Sequence, residues 1–159
     1  MFFRVPAGDN SSGIRMDIRL ISNGHHCNPA PACKPGNRSG KAPATLLFVY
    51  GTLMRGQPAH RLMREARLLG RAQTPPGFML YHLGPYPAAV RRGHGRVHGE
   101  LYAVPPPLLR RLDAYENCPR EYQRHLIQTA RGPAWIYLYP HVPRRGHRLW
   151  HGDWRRRRQ

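Results

Sequence analysis

The stretch TLLFVYGTL, residues 45–53, marks where regular structure begins in this chain. Thr45 to Tyr50 form an apolar, β-prone run and Gly51 closes it, so the pattern predicts a strand running into a turn. Before this stretch no hydrophobic period is sustained. Residues 1–44 are rich in Gly, Pro, Ser and Asn, with NSSG, NPAPACKPGNRSG and KAPA as linker-like pieces. They are expected to form a disordered extension, followed by a domain over 45–140 and an Arg-rich tail over 141–159.

Outward from the strand, AHRLMREARLL after Pro58 sets Leu62, Met63 and Ala66 on one face, which predicts a helix. LGRAQT (69–74), GFMLYHL (77–83) and AAVRR (88–92) read as short strands broken by Pro and Gly. In GRVHGELYAV (95–104), Val97, Gly99, Leu101 and Ala103 alternate with His98, Glu100 and Tyr102, the period of a strand. Pro105 to Pro107 stop it and open a helix, in which Leu108, Leu109 and Leu112 share a stripe. EYQRHLIQTA (121–130) and PAWIYLYP (133–140) predict two strands joined by a tight turn. This order is neither a regular βαβ alternation nor all-β, and it predicts a small α+β domain with a curved mixed sheet.

Composition narrows the function classes. No apolar run is long enough for a membrane helix, and the first residues lack the pattern of a secretory leader, so a cytoplasmic protein without membrane contact is expected. Three cysteines, Cys27, Cys33 and Cys118, do not suggest a disulfide framework. His25, His26, Cys27 and Cys33 have metal-capable side chains but lack the second short-spaced pair of a structural zinc site, so no metal is expected.

The net charge of +18 invites a nucleic-acid reading. Residues 1–44 contribute +4, 45–140 contribute +8 and 141–159 contribute +6, so the ends hold more than half of the excess. Only Lys34 and Lys41 among the 26 basic residues are lysines, an arginine, proline and glycine bias that GC-rich coding produces by itself. Nucleic acid is therefore expected to bind only non-specifically, through the basic ends.

Between Thr45 and Pro140 the carboxylates are Glu65, Glu100, Asp113, Glu116 and Glu121. Glu65 lies among arginines and Asp113 off the leucine stripe, so both are expected to be solvated charges. Glu116 falls four residues beyond Leu112, in register with the stripe. Desolvation, the negative end of the helix dipole and confinement would each favour its protonated form, as general acid/base chemistry requires. A nearby arginine would instead make it a plain ion-pair partner. Glu121 is expected on the strand face opposite Tyr122. Cys118 follows a helix C-terminus rather than preceding an N-terminus, which favours a structural role over a nucleophilic one. The strand-to-Gly51 turn could leave backbone N–H groups facing an anion, or could be an ordinary strand end.

Tyr50-Gly51-Thr52-Leu53, Arg55-Gly56-Gln57, Gly84-Pro85-Tyr86-Pro87-Ala88, Gly99-Glu100-Leu101-Tyr102, Leu112-Asp113-Ala114-Tyr115-Glu116 and Tyr122-Gln123-Arg124, in this order and spacing, resemble the γ-glutamylcyclotransferase-like family. The resemblance is closest to its γ-glutamylaminecyclotransferases and small bacterial members, runs from Leu46 to Tyr139, and extends to Gly152-Asp153-Trp154. It implies a small mixed β-barrel flanked by helices that acts without metal or organic cofactor. It also implies that a small-molecule γ-glutamyl substrate is held by the loop Tyr50, Gly51, Thr52 and Leu53, that Glu116 is the acid/base, and that Tyr122 lines the pocket. Asn117-Cys118-Pro119 stands where other branches have glycine-rich loops and resembles the γ-glutamylamine branch. The rival expectations are a non-catalytic small-molecule-binding module of the same fold and a basic nucleic-acid-interacting protein. Tyr86, Tyr102 and Tyr137 could line the same pocket or simply pack.

Overall fold

The computed structural model describes residues 44–157. The expectations for the N-terminal extension, with His25, His26, Cys27 and Cys33, lie outside the described residues. Eight strands form: β1 (Thr45–Val49), β2 (Arg67–Gln73), β3 (Met79–His82), β4 (Pro87–Val90), β5 (His98–Val104), β6 (Gln123–Thr129), β7 (Gly132–Leu138) and β8 (His147–Leu149), with one α-helix, α1 (Pro106–Tyr115), between β5 and β6.

Five strands make a mixed sheet in the order β2-β5-β1-β7-β6, in which only β1 and β7 run parallel. The other three make an antiparallel sheet, β4-β3-β8. The α+β expectation holds, but the sheet does not close into a barrel: the strands divide between two sheets, and among the described residues one α-helix rather than several accompanies them.

The helix expected after Pro58 is reduced to a 3₁₀ turn over His60–Met63. The residues after it are taken into β2, which pairs with β5 from Arg67 opposite Ala103 to Gln73 opposite His98. A sheet edge supplies backbone partners along the whole segment, and this outweighs a weak local helix preference. In β5 the alternation predicted from sequence gives way to burial from Gly99 through Val104, because the strand lies inside the sheet between β2 and β1.

Residues 147–154, read from composition as belonging to a tail outside the domain, are part of the fold. β8 pairs with β3, Trp154 is 1% exposed within the core, and His98 donates its N–H to Gly152 O at 2.8 Å. Gly152 has φ +65° and lies so close to Arg96 that any Cβ would collide with its carbonyl oxygen. Leu47, Phe48, Val97, Val104, Leu108, Leu112 and Ile136 fill the core around β1.

Candidate active site

α1 starts as the sequence predicts, with Pro106 at its first position and Leu108, Leu109 and Leu112 buried. Its end is set by three residues. Glu116 is the C-cap, Asn117 adopts the left-handed φ of 49°, and two reverse bonds close the turn: Asn117 N to Ala114 O at 3.2 Å and Cys118 N to Asp113 O at 2.9 Å. This is the Schellman arrangement, with Asn in the place glycine usually takes. Arg120 and Glu121 then donate their N–H groups back to Asn117 O, at 2.8 and 2.9 Å, which folds the chain into a compact corner.

That corner brings Glu116 and Glu121 into one cleft of about 240 Å³, faced by Tyr50, Gly51, Thr52 and Leu53 after β1. The volume is below the roughly 300–1,000 Å³ of pockets for drug-sized molecules and suits an amino-acid-sized group. Glu121 lies in the loop before β6 rather than on an alternating strand, so it shares the cleft with Tyr122 instead of pointing away from it.

The Glu116 carboxyl is pushed up from its ordinary 4.5 to about 7, first by burial and then by the negative charge of Glu121. Of the three effects expected from sequence, desolvation is the leading one, and no arginine pairs with Glu116 among the described residues.

Thr52 O accepts from Ala59 N at 3.0 Å, and Gly51 O accepts from Met54 N at 3.1 Å, so the loop carbonyls are tied back into the fold. The N–H groups of Gly51, Thr52 and Leu53 have no acceptor among the described residues. Gly51 is required for packing: a Cβ there would sit 2.6 Å from Pro87 Cγ.

The tyrosines are walls whose hydroxyls are occupied. Tyr50 donates to Tyr137 O at 2.7 Å and accepts from Ala89 N at 3.3 Å; Tyr122 donates to Pro87 O at 2.8 Å. Burial pushes both phenols above their ordinary range, so they stay neutral. Tyr86 and Tyr137 also line the cleft, whereas Tyr102 does not: its hydroxyl donates to Glu100 at 2.9 Å.

Asp113 is not the solvated charge expected from its place off the leucine stripe. It accepts from Tyr137 Oη at 2.7 Å and pairs with Arg124 at 3.3 Å, and so fixes a wall of the cleft from behind. Sequence reasoning gave Glu100 no role. It is 5% exposed, receives Arg55 N at 2.9 Å and Arg155 Nη2 at 2.8 Å, and thereby ties the loop after Leu53 to the C-terminal segment. Its position in a β-prone alternating segment is a signal for such a role, since a carboxylate inside a strand needs partners.

Among the described residues no group of His, Cys, Asp and Glu side chains could hold a metal, and no helix is long and apolar enough to cross a membrane.

A family model for gamma-glutamyl cyclotransferase, AIG2-like proteins matches residues 47–156. A Vibrio cholerae protein provisionally named a gamma-glutamylcyclotransferase is 45% identical over 109 residues, covering 69% of this chain and 94% of its own length. The gamma-glutamylaminecyclotransferase of Bos taurus is 35% identical over 142 residues, covering 70% of this chain and 79% of its own. The crystal structure of an AIG2-like protein from Mus musculus, 30% identical, superposes with a TM-score of 0.63 over 70% of this chain and 88% of that one. The match reaches Arg156 at the C-terminal end, in keeping with the burial of Trp154. A two-sheet α+β fold, a half-buried carboxyl in one cleft with a strand-to-glycine turn, and these similarities together establish that the chain belongs to the gamma-glutamyl cyclotransferase, AIG2-like family.

Proposed function

We propose that the protein is a cyclotransferase that releases 5-oxoproline and a free amine or amino acid from an L-γ-glutamyl amine or peptide. The α-amine of the glutamyl group attacks its own γ-carbonyl, a five-membered lactam closes, and the original amide C–N bond breaks. Two protons leave the α-ammonium nitrogen, one before the attack and one as the lactam forms, and the departing nitrogen takes up two and leaves as an ammonium group. No water is consumed and no electrons are exchanged. Nucleophile and electrophile are already tethered, so holding the chain folded supplies much of the acceleration.

Glu116 is the proton carrier. A carboxyl titrating at about 7 can accept the ammonium proton and return it at neutral pH. The N–H groups of Gly51, Thr52 and Leu53 receive the substrate α-carboxylate or the developing oxyanion. Tyr50 and Tyr122 contribute ring faces rather than hydroxyls, since both hydroxyls are engaged within the protein.

The single observation behind this reading is that Glu116, with its raised carboxyl, lines one small cleft together with Gly51, Thr52 and Leu53, whose N–H groups have no acceptor among the described residues. The test is 5-oxoproline formation from γ-glutamyl-ε-lysine, γ-glutamyl-alanine and glutathione. Glu116→Gln should lower the rate at least about a hundredfold, in line with loss of general acid/base help, while the circular dichroism spectrum is unchanged. Full activity in that variant removes Glu116 from the chemistry.

A further inference from the structure

Next to the cleft lies a second, larger groove of about 810 Å³, between the end of β3 and the segment leading into β8. Tyr86 borders both spaces. The remaining partition is aromatic: Tyr139 lines the groove and meets Tyr122 of the cleft edge-on, with ring centroids 5.6 Å apart. Because Tyr86 is common to both, this groove is the space adjoining the cleft for the remainder of a molecule whose glutamyl head occupies it.

The two spaces differ in charge. The ionisable carboxyls of the cleft are Glu116 and Glu121. The groove has none; its wall holds Arg144 and Arg145 together with His82, His141 and His147. His82 and His147 stack at 5.4 Å. Arg144 and Arg145 are exposed and make no ion pair or hydrogen bond among the described residues, so their charge is available to a ligand. An exposed arginine is ordinarily only a solvated charge. These two differ because they flank a concave space that adjoins the candidate active site.

We infer that this groove is the leaving-group subsite, and that it selects γ-glutamyl substrates whose departing amine carries an anionic group, a carboxylate above all, over those with a neutral or cationic tail. The inference rests on the cyclotransferase reading for the position of the glutamyl head. Its physical basis is a cationic wall that attracts a negative tail and repels an ammonium one.

Three γ-glutamyl amides of similar length test it: those of ε-aminocaproate (anionic tail), hexylamine (neutral) and hexanediamine (cationic). Two quantities are measured, kcat/KM for 5-oxoproline release by the wild-type chain and calorimetric affinity for Glu116→Gln, which does not depend on turnover. The anionic compound should lead the neutral one by about fivefold in each, as expected for one or two exposed ion pairs, and the cationic one should come last. Arg144→Glu combined with Arg145→Glu should reverse the order of the charged pair. About 1 M salt, where the screening length is about 3 Å, should flatten it. Equal or undetectable affinities, or an order indifferent to the double reversal, overturn the subsite. If 5-oxoproline forms but the order is flat, the subsite falls and the reaction stands. If none forms while the affinity order persists, the reaction falls and the charge preference of the groove stands.

Discussion

Glu116 and Glu121 are half-buried in one cleft, and two carboxylates so placed cannot both ionise at little cost. If Glu116 must be ionised to accept the ammonium proton, kcat/KM falls as pH drops through about 7, and a pH–rate profile should show that acid limb. Glu121→Gln removes the charge that adds to the shift, so the limb should move to lower pH; an unmoved limb would mean that Glu121 is not felt at position 116. The same residue affects stability. With the carboxyl raised from 4.5 to about 7, the fold favours the protonated acid, a preference fully present below pH 4.5 and lost as pH rises through 7. Glu116→Gln, permanently neutral, should therefore match the wild type near pH 4.5 and exceed it at pH 8 by at most about 3 kcal/mol, less whatever solvent screening removes. Urea unfolding at the two pH values measures the difference.

At the scale of elements, the end of α1 matters more to the site than its body. The leucine stripe and the proline start are local signals, and both were readable from spacing alone. The corner after the helix was not, because it depends on Asn117 taking a left-handed conformation and on bonds from Arg120 and Glu121 back to one carbonyl. Asn117→Gly should preserve the turn, whereas Asn117→Ala should destabilise the protein by about 1 kcal/mol. The alanine variant should also lower activity by more than its unfolded fraction accounts for, since Glu116 and Glu121 would lose their common anchor. Thermal melting beside the 5-oxoproline assay separates the two effects. The run after Pro58 shows the opposite case, in which helical spacing was present but β5 offered an edge that claimed residues 67–73.

For the whole molecule, the C-terminal segment holds the architecture together. Trp154 is buried, and Arg155 reaches Glu100, which in turn holds Arg55 N beside the candidate substrate loop. Trp154→Ala should cost about 3–5 kcal/mol, the range for truncating a buried tryptophan. Trp154→Phe should cost much less, because the indole N–H that it removes has no acceptor among the described residues. Denaturant midpoints decide between this and a dispensable tail, for which both substitutions would be silent.

The sequence by itself determined the α+β class, the hairpin of β6 and β7, the strand-to-Gly51 turn and the register that puts Glu116 at the end of a buried leucine stripe. These depend on periodicity and on the stereochemistry of proline and glycine, which act between neighbours in the chain. Only the tertiary structure decided that the strands divide into two sheets, that Glu121 joins Glu116, that Asp113 and Glu100 are structural anchors, and that Trp154, beside the arginine run, belongs to the core. Each of these depends on which distant backbone or side chain is available as a partner, and a charged residue looks the same in sequence whether water or a buried donor satisfies it.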